Sequence, residues 1–309
     1  MTNKSSAHLL PIGFYDLLFD EAEKTHRKIN LTLDAFLAAG YRLIKTPLIE
    51  FADNFSHQEN ANSFLIADPI SGKNLVLRND ITLQISRLFN SRLKNQKLPL
   101  KLCYVGDVLL TKSNELYADR QSTQVGVEII GCDQEKSNFE IIETILKILP
   151  KISVKNLVIE FSLPNFVELF IAELKIKNKA ELLEAIRKKD LSAVKNLSKE
   201  YGDLISEIAL FNDNLKFLSA KISTKTKSTK IAAELKRAEK ISTFVKKQFP
   251  QAQLCFDLFG DDRTSYHRDI AFDIFCGDFS YPIARGGRYK INGVDAVGAT
   301  IYFNRLRKV

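Results

Sequence analysis

Two long apolar-rich stretches, Leu100–Leu110 and Ser122–Ile130, are separated only by the polar, charged loop Thr111–Gln121. Each stretch reads as a strand, and so short a link can only return the chain antiparallel, because a parallel partner needs a longer crossover. This hairpin constrains everything around it. Phe14–Ala39 reads as a helix, with apolar residues at helical spacing and Gly40 as its stop. The extended stretch Tyr41–Pro47 follows, its proline placing it at a strand end or sheet edge. Short strands are expected at Ser63–Ala67 and Leu75–Leu77, with a turn at Ile70–Lys73 between them. Helices are expected at Thr82–Leu93 and Asn138–Leu149, the second stopped by Pro150.

From about Pro164 to Phe249 the chain becomes helical and rich in Lys and Glu. Strands return at Leu254–Phe259, Ile270–Cys276 and Ser280–Ala284. A glycine-rich turn is expected at Arg285–Tyr289, and Ala296–Ile301 should run into a truncated helix. The pattern implies an α+β fold: an antiparallel sheet flanked by helices, with a helical insertion. Its parts are a core from 1 to 163, the insertion from 164 to 249, and the remaining core from 250 to 309.

Composition removes several function classes. Hydrophobic residues make up 45% of the 309 residues and charged residues 27%, ordinary for a globular protein. Cys103, Cys132, Cys255 and Cys276 are scattered with no Cys-x-x-Cys pair, and the four histidines are dispersed, so neither a zinc site nor a disulfide framework is expected. Nothing approaches the roughly 20 apolar residues of a membrane span. The start, MTNKSSAHLLPIGF, lacks a secretory apolar segment, so a cytoplasmic protein is expected. The net charge is +8. The lysines between Lys175 and Lys247 are interleaved with Glu181, Glu184, Glu200 and Glu234. That is a mixed-sign face rather than a basic stripe, so nucleic acid is not the expected partner.

Several segments, in order, resemble the core of a class II aminoacyl-tRNA synthetase of the histidyl type. Pro11-Ile12-Gly13-Phe14-Tyr15-Asp16 resembles its Pro-x-Gly-x-x-Asp entry, and Pro47 falls where the motif 1 proline sits at the dimer interface. Leu77-Arg78-Asn79-Asp80-Ile81-Thr82 is similar to Leu-Arg-Pro-Glu-Gly-Thr. Tyr104-Val105-Gly106-Asp107 opens motif 2, and Gln124-Val125-Gly126-Val127-Glu128 closes it. Gly286-Gly287-Arg288-Tyr289 resembles Gly-Gly-Arg-Tyr-Asp, and Ala296-Val297-Gly298 to Arg305-Leu306 resembles motif 3. The resemblance covers nearly the whole chain and implies a six-stranded antiparallel sheet in a homodimer.

The departures carry as much information. Leu110 and Lys112 stand where the family has the catalytic motif 2 arginine and an acid. The family's Arg-Gly-Leu-Asp-Tyr-Tyr reads Asp262-Arg263-Thr264-Ser265-Tyr266-His267. An anticodon-binding domain is not expected in this chain. Amino-acid activation must hold negative charge at an attacked phosphate, which a guanidinium does and a leucine cannot. Losing one such donor lowers the rate roughly 10²- to 10³-fold.

By the same resemblance the amino-acid pocket survives. Asp80 and Gln124 would take the ligand's α-amino group, while Glu128 and Tyr266 would address its imidazole. His267 would replace a second tyrosine. Arg120, Arg288 and Arg305 are possible contacts for a carboxylate or another anion. No catalytic residue, metal or cofactor is implied. Taken without the resemblance, Asp80 is an ordinary helix N-cap, and Gln124 and Glu128 are two residues on one face of a strand.

A retained pocket beside lost activation chemistry resembles the regulatory subunits of ATP phosphoribosyltransferase. That implies a short-form catalytic subunit as partner in a hetero-octamer, and histidine as feedback ligand. Two other readings stay open: a minimal histidyl-tRNA synthetase-like adenylate-forming enzyme, and an RNA-binding module.

Overall fold

The computed structural model describes residues 9–113, 118–132, 134–174, 177–210, 215–259, 267–277 and 279–307. Its centre is an eight-stranded sheet. In chain order the strands are β1 (Arg42–Ile44), β5 (Leu100–Leu109), β6 (Gln121–Ile130), β7 (Leu157–Ser162), β8 (Gln253–Phe256), β9 (Arg268–Cys276), β10 (Ala284–Ile291) and β11 (Val294–Tyr302). Their spatial order is β1-β5-β6-β11-β10-β9-β7-β8. The six central strands are antiparallel throughout, as the hairpin predicts. Both edge strands pair parallel, β1 on β5 and β8 on β7, which corrects the expectation of a wholly antiparallel sheet. The physical reason is the connection between them. Between β7 and β8 the chain runs through α5 (Pro164–Glu173), α6 (Lys179–Arg187), α7 (Leu191–Leu197), α8 (Gly202–Ala209), α9 (Leu215–Lys225) and α10 (Thr229–Gln248). A crossover of this length lets the strand return in the same direction.

A smaller antiparallel sheet, β2-β4-β3, is built from β2 (Ile49–Phe51), β3 (Leu65–Ala67) and β4 (Asn74–Leu77). It ends at the loop that carries Asp80.

Alternation along the strands divides the large sheet's two faces. Cys103, Val125, Val127, Ile129, Phe272 and Val297 point into the larger core, under α1 (Phe19–Ala38) and α4 (Gln134–Ile148). Leu102, Tyr104, Ile130, Tyr289 and Ala296 point to the other face, against Ile81 and Ile85 of α3 (Ile81–Leu88). Glu128 and Gln124 share the parity of Ile130, so they face α3 too.

Several elements differ from expectation. The glycine-rich segment Arg285–Tyr289 is no turn but the middle of β10, and residues 280–283 lie outside any strand. Paired glycines usually punctuate chains. Here they let neighbours approach, for a Cβ on Gly286 would lie 2.3 Å from the Phe272 ring. β11 ends in a 3-10 turn, Phe303–Leu306, rather than a truncated helix. The first helix begins at Phe19, not Phe14, and α3 passes into a π-helical turn at Phe89–Leu93.

Candidate ligand cavity

On the α3 face, a cavity of about 290 Å³ opens between the N-terminus of α3 and strands β6, β10 and β11. Asp80 is the N-cap of α3. Its Oδ1 accepts from the Thr82 N–H at 2.8 Å, and its Oδ2 accepts from Gln124 Nε2 at 3.0 Å. Gln124 Oε1 in turn accepts from the Ile81 N–H at 3.1 Å. The N-cap role and the pocket role therefore coexist: the capping carboxylate also lines the cavity.

Glu128 is 1% exposed. Its Oε1 accepts from Thr82 Oγ1 at 3.0 Å, and its Oε2 accepts from the Tyr289 hydroxyl at 2.7 Å. Directly across the ladder stands Gly298, whose missing side chain leaves room for the carboxylate. Burial, with Asp80 nearby adding repulsion, pushes the Glu128 carboxyl up to about 8, although both hydroxyl donors act to lower it. Among the described residues no basic side chain pairs with Glu128. Behind it, the fully buried Tyr104 hydroxyl meets Thr300 Oγ1 at 2.7 Å. Burial and the charges of Glu128 and Asp80 raise the Tyr104 phenol well above its ordinary range.

The structure thus brings Asp80, Glu128 and His267 to one cavity wall. Gln124 sits just behind the lining, 2% exposed, and orients Asp80. Tyr266 lies outside the described residues.

The three arginines are placed elsewhere. Arg288 follows Gly287 and precedes Tyr289 on β10, so alternation turns it to the opposite face. It is fully buried there, donating to Asn138 Oδ1 at 3.2 Å and Ser137 Oγ at 2.8 Å. Arg305 is buried in the final 3-10 turn, donating to the Pro282 carbonyl and stacked 3.9 Å from the Tyr302 ring centre. Arg120 donates to the carbonyls of Leu110 at 3.1 Å and Ile12 at 3.3 Å, between the rings of Phe14 and Phe64. None of the three lines the cavity.

Sequence reading missed Thr82, Tyr289, Gly298, Thr300 and Arg285 as cavity residues. The period-2 alternation Arg285, Gly287, Tyr289 was the available signal, hidden by reading the glycines as a turn. Among the described residues no cluster of His, Cys, Asp and Glu is placed to hold a metal ion.

The profile of histidyl-tRNA synthetases matches residues 13–306. The chain belongs to the histidyl-tRNA synthetase family. Within it, the chain is 28% identical over 313 aligned positions to an ATP phosphoribosyltransferase regulatory subunit of Paramagnetospirillum magneticum, covering 99% of this chain and 83% of that protein. Against the protein of that name from Caldanaerobacter subterraneus it is 30% identical, over 96% of this chain and 81% of the other. In fold it superposes on a structure described as an ATP phosphoribosyltransferase regulatory subunit/histidyl-tRNA synthetase from Bacillus halodurans. That match has a TM-score of 0.84 and 21% identity, covering 99% of this chain and 84% of the other. A chain of the ATP phosphoribosyl transferase (HisG:HisZ) complex from Thermotoga maritima matches with a TM-score of 0.71 and 19% identity, covering 93% and 98%. The class II synthetase-like α+β fold is that of the family.

Proposed function

We propose that this chain is the non-catalytic regulatory subunit of an ATP phosphoribosyltransferase, acting at the first step of histidine biosynthesis on a short-form catalytic subunit. The similarity to regulatory subunits along almost the whole chain carries this reading. The cavity supports it. A cavity lined by Asp80 and Glu128 is present, while position 110 offers a leucine whose backbone is tied to Arg120.

Histidine is the ligand of the cavity in this reading. Its ammonium group faces Asp80, and its imidazole faces Glu128 and Tyr289. His267 lines the same cavity, and the family resemblance assigns Tyr266 to the ligand as well. The chain self-associates as a dimer and joins the catalytic subunit in a hetero-octamer in the cytoplasm. Residues 164–249 form a helical insertion in a core made of 1–163 and 250–309.

Regulation then follows from linkage. Histidine shifts the complex only by its different affinity for two states, and such couplings are typically about 1–3 kcal/mol. α3 is suited to carry the signal. Thr82 touches the cavity glutamate at its start. Gln84 and Arg87, further along, hold the buried Glu50 of β2, with Gln84 Nε2 at 2.8 Å and Arg87 Nε at 3.0 Å from its carboxylate oxygens. By reciprocity, ligands of the catalytic subunit should alter histidine affinity here.

Sedimentation of the chain mixed with a short-form catalytic subunit tests the partnership, and calorimetry with L-histidine tests the ligand. A joint, heavier species and saturable heat are expected. Two independently sedimenting proteins would contradict the first part, and absence of heat in both the free chain and the mixture the second.

A further inference from the structure

Among the described residues, Arg285 is the only Lys or Arg that lines the cavity. It stands on β10, opposite Thr300 of β11 on one side and Asp273 of β9 on the other. Gly287, two residues on, faces Gly298, which faces Glu128. Arg285 and Glu128 therefore share one face of the sheet, two strands and one side-chain row apart. Strand and residue spacing put their Cα atoms roughly 12 Å from each other. Arg285 on one side and Asp80 and Glu128 on the other border the same cavity of about 290 Å³.

The guanidinium is held rather than adrift. Its Nε lies 3.3 Å from Oδ1 of Asp273, and its Nη2 lies 3.4 Å from Oδ2. Asp273 is 3% exposed, whereas the Arg285 side chain keeps 37% of its surface. A buried carboxylate thus anchors an arginine whose other flank borders the cavity.

The cavity accordingly has two acids on its β6 and α3 side and one fixed cation on its β10 side. That is the charge pattern of a zwitterion with a polar tail. We propose that Arg285 is the carboxylate-binding residue of this cavity and makes it selective for free α-amino acids over their decarboxylated or reduced counterparts. The inference rests on the histidine reading above. Arginine suits the task because its planar donors match a carboxylate's two oxygens. Asp273 is then a positioning residue that fixes the fork before the ligand arrives. In sequence, position 262 holds an acid where the family resemblance expects an arginine, and in this proposal Arg285 of β10 supplies the positive charge.

The test is calorimetric titration of the full chain, free and with the catalytic subunit, using L-histidine, L-histidinol and histamine as probes. L-Histidinol keeps the ammonium and imidazole groups but has an alcohol in place of the carboxylate. The wild-type chain should favour L-histidine by roughly 10- to 100-fold, the worth of a charge-assisted contact. The double variant Arg285→Gln with Asp273→Asn removes both charges of the pair together. It should lose that preference by weakening L-histidine, with L-histidinol affinity unchanged within about threefold. Arg285→Lys, which keeps the charge and loses the fork, should fall between. A wild-type chain that binds L-histidine and L-histidinol equally overturns the inference, and so does a folded double variant that still discriminates. A wild-type chain that binds none of the probes overturns the histidine reading itself.

Discussion

Glu128 on β6 and Gly298 on β11 are direct cross-strand partners, and the carboxylate of one occupies the space that a side chain on the other would need. A Cβ on Gly298 would lie 1.8 Å from Glu128 Oε2. Thr82 and Tyr289 hydrogen-bond the same carboxylate, so displacing it disrupts both contacts. Gly298→Ala should therefore lower stability by about 1–3 kcal/mol, the usual cost of overpacking. It should weaken L-histidine binding at least about tenfold. Denaturant unfolding and calorimetry on the same preparation check both effects.

Glu128 also gives the chain a distinctive pH response. Its carboxyl is held up to about 8 by burial, against an ordinary value of 4.5. Between those two values the native chain keeps a proton that the unfolded chain has lost. Its contribution to stability is complete below about pH 4.5, declines as pH rises through the window, and is gone above about 8. Glu128→Gln, which cannot ionise, should flatten this part of the profile. Denaturant midpoints measured at intervals between pH 4.5 and 8.5 would show it, on a scale set by the same shift.

Arg120 is placed as a clamp, outside the lining of the cavity. It ties residues 12–14 to the end of the β5–β6 hairpin where β5 stops and β6 starts, through two carbonyls and two aromatic rings. Arg120→Ala should cost about 1–3 kcal/mol and expose the segment before α1 to limited proteolysis. Affinity for L-histidine should stay within about threefold of wild type.

Arg288 should behave differently again. Its fully buried guanidinium is tied to Ser137 and Asn138, with Asp269 Oδ2 at 3.9 Å. Arg288→Met removes the charge but leaves those polar groups facing an apolar chain. A loss of about 3–5 kcal/mol is expected, read as a shift of the unfolding midpoint.

The sequence was most legible where chemistry and periodicity agree. The hairpin β5–β6 announces itself by two apolar strands and a polar link, and Glu128 by a carboxylate in the middle of one of them. Asp80 was legible twice, as a cap and as an acid at the head of a helix. β10 was hidden because Gly286 and Gly287 carry the signature of a turn. Only the packing of Phe272 and His267 against them explains why a strand needs glycine there. Missing β10 as a strand also hid its alternation. That is why Arg288 reads as a possible anion contact and Arg285 and Tyr289 do not: one step of register decides which face a side chain meets. The parallel edge strands were invisible for another reason. Pairing between β7 and β8 joins residues about 95 positions apart across six helices, and no local pattern encodes it.

The most direct test of the regulatory reading is the phosphoribosyltransferase activity of a short-form catalytic subunit, measured with and without this chain across a titration of L-histidine. The chain should raise the activity and histidine should then suppress it, with Glu128→Gln shifting the suppression to higher histidine. Activity that is unchanged by the chain at every histidine concentration would contradict it.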